Sequence, residues 1–229
     1  MKVGFFDSGS GAYHVRDSFL LHNSDIETVI YADYDNCPYG DRSPDEIVEL
    51  TTNGVHCLFG QGCDVVILAC NTASVHALRH LQNTLPRHQR ILGVTYPACE
   101  AVRDQGFQKV IVFSTDATKK SGVYTHYIHL IAGNEVSVIN IAIPGLVQAI
   151  ESENTLEQQN LIRDVLHHMP EGEMDAIILG CTHYPIIKKV FEDIKSEFPQ
   201  LNQAAIIDPG FEASLRFGKW REKLSHPFA

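Results

Sequence analysis

Residues 65–74 (VVILACNTAS) and 176–185 (AIILGCTHYP) follow one plan. In each, four apolar residues in a row fit a strand buried on both faces of a parallel sheet. A small residue, a cysteine and polar residues then follow where that strand should end. Each segment therefore delivers a thiol to the rim of a sheet. Ligands of open α/β sheets bind beyond the carboxyl ends of the strands, so Cys70 and Cys181 stand where such proteins do their chemistry.

The rest of the chain reads as two copies of this arrangement. A strand over 2–6 ends in Asp7-Ser8-Gly9-Ser10-Gly11, a polar turn leading into a helix over 13–21. A strand over 28–32 and a loop over 33–42 precede a helix that Ser43 caps and Pro44 opens, with Asp45 and Glu46 in its first turn and Gly60 and Gly62 at its end. The Cys70 strand, a helix over 75–81 and a strand over 91–95, closed by Tyr96-Pro97, complete the first half. Lys109-Val110-Ile111-Val112-Phe113 then echoes Lys2-Val3-Gly4-Phe5-Phe6. Lys109 follows Lys2 by 107 residues and Cys181 follows Cys70 by 111. The second half carries a strand over 136–143, helices over 144–151 and 156–169, the latter ending near Pro170, and the Cys181 strand. An amphipathic helix over 186–198 and a strand over 204–207 follow, and a last helix over 211–224 returns to the first half. The pattern predicts two similar α/β domains with parallel sheets, related by a pseudo-twofold, with the active site in the cleft between them. The first comprises 1–95 plus 208–229 and the second 96–207.

Charge removes some function classes. With 28 acidic residues against 18 basic ones and a net charge of -10, the chain has no basic cluster to meet a nucleic acid. No apolar run reaches membrane-span length and no basic, apolar leader opens the chain, so the expected location is the cytoplasm. The six cysteines include no C-x-x-C pair, and Cys181-Thr182-His183 is too close-set for a usual zinc finger. They are read as free thiols with no metal, and Cys37, Cys57, Cys63 and Cys99 as packing residues. His76 and His80, one helical turn apart, are assigned no role. Gly9-Ser10-Gly11 lacks the third glycine of a dinucleotide fingerprint and the lysine of a P-loop.

Two thiols from matching halves suit a task that is itself nearly symmetric, removing a proton from one face of a carbon and returning one to the other. That task is racemisation. A thiol of ordinary pKa, about 8.5, must be partly ionised to act as base, and a helix N-terminus, expected after each cysteine, would lower it. Backbone amides there bind carboxylates. Asn71, Thr72 and Thr182 add donors for the oxygens that gain charge as the α-carbon loses its proton. Asp7 and His183 are placed to orient or relay protons at the two thiols.

The segments Phe6-Asp7-Ser8-Gly9, Pro38-Tyr39-Gly40 with Ser43-Pro44, Ala69-Cys70-Asn71-Thr72-Ala73-Ser74, Thr115 with Ala117-Thr118 and Ser121-Gly122, and Gly180-Cys181-Thr182-His183-Tyr184-Pro185 occur in this order. Together they resemble the glutamate racemases of the aspartate/glutamate racemase superfamily, over nearly the whole chain. The resemblance implies cofactor-independent interconversion of L- and D-glutamate, with Cys70 and Cys181 as the acid/base pair and Asp7, His183 and Glu151 assisting. It implies substrate contacts at Asp7, Ser8, Tyr39, Gly40, Asn71 and Thr72, and at Thr115, Thr118, Thr182 and His183. The D-glutamate would feed peptidoglycan synthesis, and a homodimer is an assembly the resemblance allows. The chain departs from the family at Ser10-Gly11-Ala12-Tyr13, where a Val-Gly-Gly-Leu run is usual, and at Tyr96, Ser114 and Pro209. Two other readings stand beside this one: a racemase of aspartate or a broader amino-acid set, and a non-catalytic binding protein, such as a gyrase-interacting one, that retains the fold.

Overall fold

A computed structural model describes residues 1–169 and 171–225, with the side chains of 222–225 left aside. The first half runs β1 (Lys2–Asp7), α1 (Gly11–Leu20), β2 (Glu27–Ala32), α2 (Pro44–Gly60), β3 (Val65–Leu68), α3 (Asn71–Thr84) and β4 (Arg90–Gly93). After α4 (Thr95–Gln105) come β5 (Lys109–Ser114), α5 (Asp116–Ser121), α6 (Val123–Ala132), β6 (Ser137–Ala142), α7 (Leu146–Glu151) and α8 (Thr155–His167). The chain closes with β7 (Ala176–Gly180), α9 (Lys188–Lys195), β8 (Ala205–Ile207) and α10 (Pro209–Ser225).

The strands form two separate parallel sheets, ordered β2-β1-β3-β4 and β6-β5-β7-β8. The echo between 2–6 and 109–113 is thus structural, since β1 and β5 hold the same place in their sheets and β3 and β7 the next. Even the strand starts are tied alike. Asp64 Oδ2 accepts the Lys2 N–H at 2.7 Å, and Asp175 Oδ2 accepts the Lys109 N–H at 2.9 Å. Every residue of β3 and β7 is buried, as their unbroken apolar runs require. Leu68 and Leu179 are fully buried, and truncating either to Ala would cost about 2–5 kcal/mol.

Helices cover both faces of both sheets. Ala98, Cys99, Ala101 and Val102 of α4 pack with Val110, Val112 and Ile178 of the second sheet. The last helix returns to the first. Phe217 of α10 meets Phe19 of α1 edge-on at 4.8 Å, and Phe19 meets Phe5 of β1 at 5.1 Å.

Three sequence expectations need correction. Tyr96 and Pro97 do not close a strand but lie in the first turn of α4, where a missing N–H costs nothing because the helix leaves that group without a partner. The single helix expected over 186–198 is a 3-10 turn, Tyr184–Ile187, followed by the shorter α9. The helix expected to end near Pro170 ends at His167, and Pro170 lies outside the described residues. The Ser43 start of α2 is as read, with a capping box in which the Ser43 hydroxyl oxygen accepts the Glu46 N–H at 3.4 Å and the Glu46 carboxylate accepts the Ser43 N–H at 3.0 Å.

Candidate active site

The carboxyl ends of β1, β3, β5 and β7 meet between the sheets, and this junction gathers most of the expected site. Ser8, Tyr39 and Gly40 line one small cavity with Cys70, Asn71 and Thr72 from the first half. Thr115, Cys181, Thr182 and His183 line it from the second. Its volume is about 10 Å³, close to the least room one water needs. Cys70 and Cys181 are 4% and 6% exposed, so both sulfurs are secluded from bulk solvent.

The two thiols are handled differently. Cys70 is the N-cap of α3. Its sulfur accepts the Ala73 N–H at 3.4 Å, its carbonyl accepts the Ser74 N–H at 2.8 Å, and the Ser8 hydroxyl lies 3.6 Å from the sulfur. No α-helix begins at Cys181. The equivalent of Ser74, four positions on, is Pro185, which has no N–H to donate to the Cys181 carbonyl. That carbonyl takes the Tyr184 N–H at 3.0 Å instead, and the backbone tightens into the 3-10 turn. The expected helix N-terminus at each cysteine is therefore present only at Cys70. The expected lowering of the thiol pKa fails there too. Burial, reinforced by the Asp7 carboxylate, pushes the Cys70 thiol well above its ordinary range, outweighing the Ala73 and Ser8 contacts.

Beside Cys181 stands a charged relay. His183 Nδ1 is 3.9 Å from the Cys181 sulfur, and His183 Nε2 is 2.6 Å from Glu151 Oε1. Burial disfavours the imidazolium, but the contacts with Cys181 and Glu151 outweigh it and carry His183 up to about 10. Glu151 is held down to about 2, chiefly by its His183 bond, against burial and with help from Ser10. The two shifts agree on an ion pair at neutral pH.

Asp7 is fully buried at the end of β1. Its carboxylate accepts the Gly9 N–H at 3.0 Å and the Thr182 hydroxyl at 3.0 Å, and it bonds neither sulfur. Burial raises it to about 6, while His183, Gly9 and Thr182 pull the other way. Thr182, expected to donate to a substrate, thus donates across the cleft to Asp7. Gly11 allows this approach, for a Cβ there would lie 2.4 Å from the Thr182 side chain.

Thr118 lies behind the lining, bonded to Thr72 at 3.2 Å and Thr115 at 3.1 Å, and Glu151 lies behind His183. Pro38 and Val147 also line the cavity. Tyr124 donates to Asn71 Oδ1 at 2.5 Å and fixes that amide from the opposite half. Val147 and Tyr124 carried no local signal, because their roles depend on how the two sheets dock. One packing assignment changes as well. Cys57 is exposed on the outer side of α2. Cys37 is half-buried against Gly9, where burial and then the Asp7 and Glu151 charges push its thiol up to about 12. Tyr13, Tyr96 and Pro209 do not line the cavity, and Ser114 is a buried residue of β5.

All six cysteines are unpaired. Among the described residues no cluster of three or more His, Cys, Asp or Glu side chains could hold a metal ion, and no helix is long and apolar enough to cross a membrane. The cavity lining includes no lysine or arginine, so the donors it offers an anion are His183, side-chain amide and hydroxyl groups, and the backbone amides at the start of α3.

The family model of the Asp/Glu/Hydantoin racemases matches residues 21–211, and the chain belongs to that family. Within it, the chain is 39% identical to the glutamate racemase of Ruegeria pomeroyi over 209 residues, covering 84% of this chain and 77% of that one. Its fold superposes on a glutamate racemase of Francisella tularensis, solved with D-glutamate, with a TM-score of 0.87 at 25% identity, covering 98% of this chain and 82% of that one. A glutamate racemase isoform of Bacillus anthracis gives a TM-score of 0.86 at 26% identity over 97% of this chain and 82% of that one.

Proposed function

We propose that this chain interconverts L- and D-glutamate by two-thiol proton transfer at the α-carbon, without a cofactor, and so supplies D-glutamate for peptidoglycan. The observation that carries this reading is that Cys70 and Cys181, from equivalent strand ends of two sheets, line one secluded cavity. As one sulfur, ionised, takes the α-proton, the other, protonated, returns one to the opposite face. The enzyme then holds its proton on the other thiol and is set for the reverse turnover.

The supports divide the work. Cys70, held protonated by its burial, serves as the resting acid. The His183 imidazolium complements negative charge on Cys181. As the α-carbon loses its proton, charge moves onto the substrate carboxylate, where the first N–H groups of α3, left without partners inside the helix, meet it. Asn71, Thr72 and Thr115 complete the wall, and Asp7, Glu151 and Thr118 hold the wall in place. In this reading the cleft divides the described residues into 1–95 plus 208–225 on one side and 96–207, Pro170 aside, on the other. A cavity of about 10 Å³ cannot admit glutamate, so the walls of the cleft must move apart to take up substrate.

The test is incubation of D-glutamate with the protein in deuterated water without added cofactor, following α-deuteration and L-glutamate together. Both are expected to rise. Turnover of aspartate far faster than glutamate would move the substrate, and silence on both would favour a binding protein.

A further inference from the structure

We propose that Ser10 is a positioning residue for the Cys181 half-reaction, seating Glu151 so that the carboxylate holds His183 against the thiol. The inference rests on the racemase reading and adds a residue from the opposite half to its machinery.

Ser10 occupies the N-cap position of α1, where serine ordinarily turns its hydroxyl back onto the helix amides. Here it makes no such bond. Its hydroxyl donates instead to Glu151 Oε1 at 2.7 Å, across 141 residues of sequence. That same oxygen meets His183 Nε2 at 2.6 Å, and His183 Nδ1 reaches Cys181 at 3.9 Å. Ser10, Glu151, His183 and Cys181 therefore form one line of polar contacts that starts in the first half and ends at the second thiol.

The loop is seated over the pair as well as bonded to it. A Cβ added at Gly9 would come within 3.4 Å of His183 Nε2 and 3.5 Å of Glu151 Oε1, so the 9–10 backbone packs directly on them. Glu151 has a side chain 38% exposed and is held by His183 on one side and by the Ser10 hydroxyl and backbone N–H on the other. Because Ser10 and Glu151 belong to different halves, the line is complete only when the halves are closed. Cys70 receives no counterpart, so loss of the Ser10 hydroxyl should slow one proton transfer and spare the other.

Ser10→Ala and Ser10→Thr, in the full chain, test this. With the enantiomers equal in energy, kcat/KM must fall equally in both directions, so rate alone cannot reveal one-sidedness. The Ala variant is expected to lose about 5- to 10-fold in kcat/KM. With α-deuterated glutamate, its primary isotope effect should rise for the enantiomer that Cys181 deprotonates and fall for the other, and Ser10→Thr should restore both. The enantiomer is assigned by exchange in Cys70→Ser, where only Cys181 remains. In parallel, the ring ¹⁵N resonances of His183 should shift in Ser10→Ala and return in Ser10→Thr, a readout that needs no turnover. Unchanged isotope effects together with an unmoved His183 signal would overturn the proposal. A shifted His183 signal in a protein that does not racemise glutamate would instead keep the positioning role and remove the racemase reading.

Discussion

After Cys70 the chain turns at once into an α-helix, whereas after Cys181 it makes a 3-10 turn and reaches its helix only at Lys188. The fourth position after each cysteine accounts for the difference in hydrogen bonding: Ser74 donates its N–H to the Cys70 carbonyl, and Pro185 has none to donate. Cys70 is consequently met by a helix amide and a hydroxyl, which leave its burial uncompensated. Cys181 is met by an imidazolium held by a carboxylate. Equivalent places in duplicated sheets thus carry unlike electrostatics, and a nearly symmetric reaction is served by asymmetric supports.

The largest expected effect comes from removing the support of Cys181. His183→Asn should lower kcat/KM by roughly 10²- to 10³-fold, with the protein still folded by circular dichroism. A loss under threefold would mean that the charge at His183 is not used. Next, Ser74→Pro imposes the second half's constraint on the first, removing the N–H that the Cys70 carbonyl accepts. It should cost about 3 kcal/mol in urea denaturation and abolish activity, while Pro185→Ser should change stability much less.

Asp7 sharpens the comparison through pH. Its folded-state pKa of about 6 exceeds the ordinary 3.8, so the fold favours the neutral carboxyl. That contribution is complete below pH 3.8 and is lost as pH rises through 6. Relative to Asp7→Asn, the wild type should lose at most about 3 kcal/mol between pH 4 and pH 7, measured by urea denaturation at the two values. An unchanged difference would contradict the assignment. The smallest effect is expected from Tyr124→Phe, which frees the Asn71 oxygen at the start of α3. A cost of about 1–2 kcal/mol with a raised KM is expected, against no change if water replaces the phenol.

Much of this was legible in the sequence because it is local. The apolar runs ending in Cys70 and Cys181, the Ser43-Pro44 helix start and the echo of 2–6 in 109–113 each depend on neighbours in the chain. Pro185 was equally visible, and its meaning follows from counting four residues on from each cysteine. Tyr96-Pro97 misled because proline closes strands and opens helices alike. The link from Ser10 to Glu151, the bond from Tyr124 to Asn71 and the turning of Thr182 to Asp7 were not legible, since each joins side chains brought together only when the two sheets dock. The rise in the Cys70 pKa has the same origin, because burial is a property of the assembled cleft.

The most direct test of the two-thiol mechanism is solvent exchange in Cys70→Ser and Cys181→Ser, each given both enantiomers of glutamate in deuterated water. Each variant should fail to racemise, yet its surviving thiol should wash deuterium into one enantiomer only, and the two variants should label opposite ones. Labelling of the same enantiomer by both, or racemisation surviving in either, would contradict the division of labour between Cys70 and Cys181.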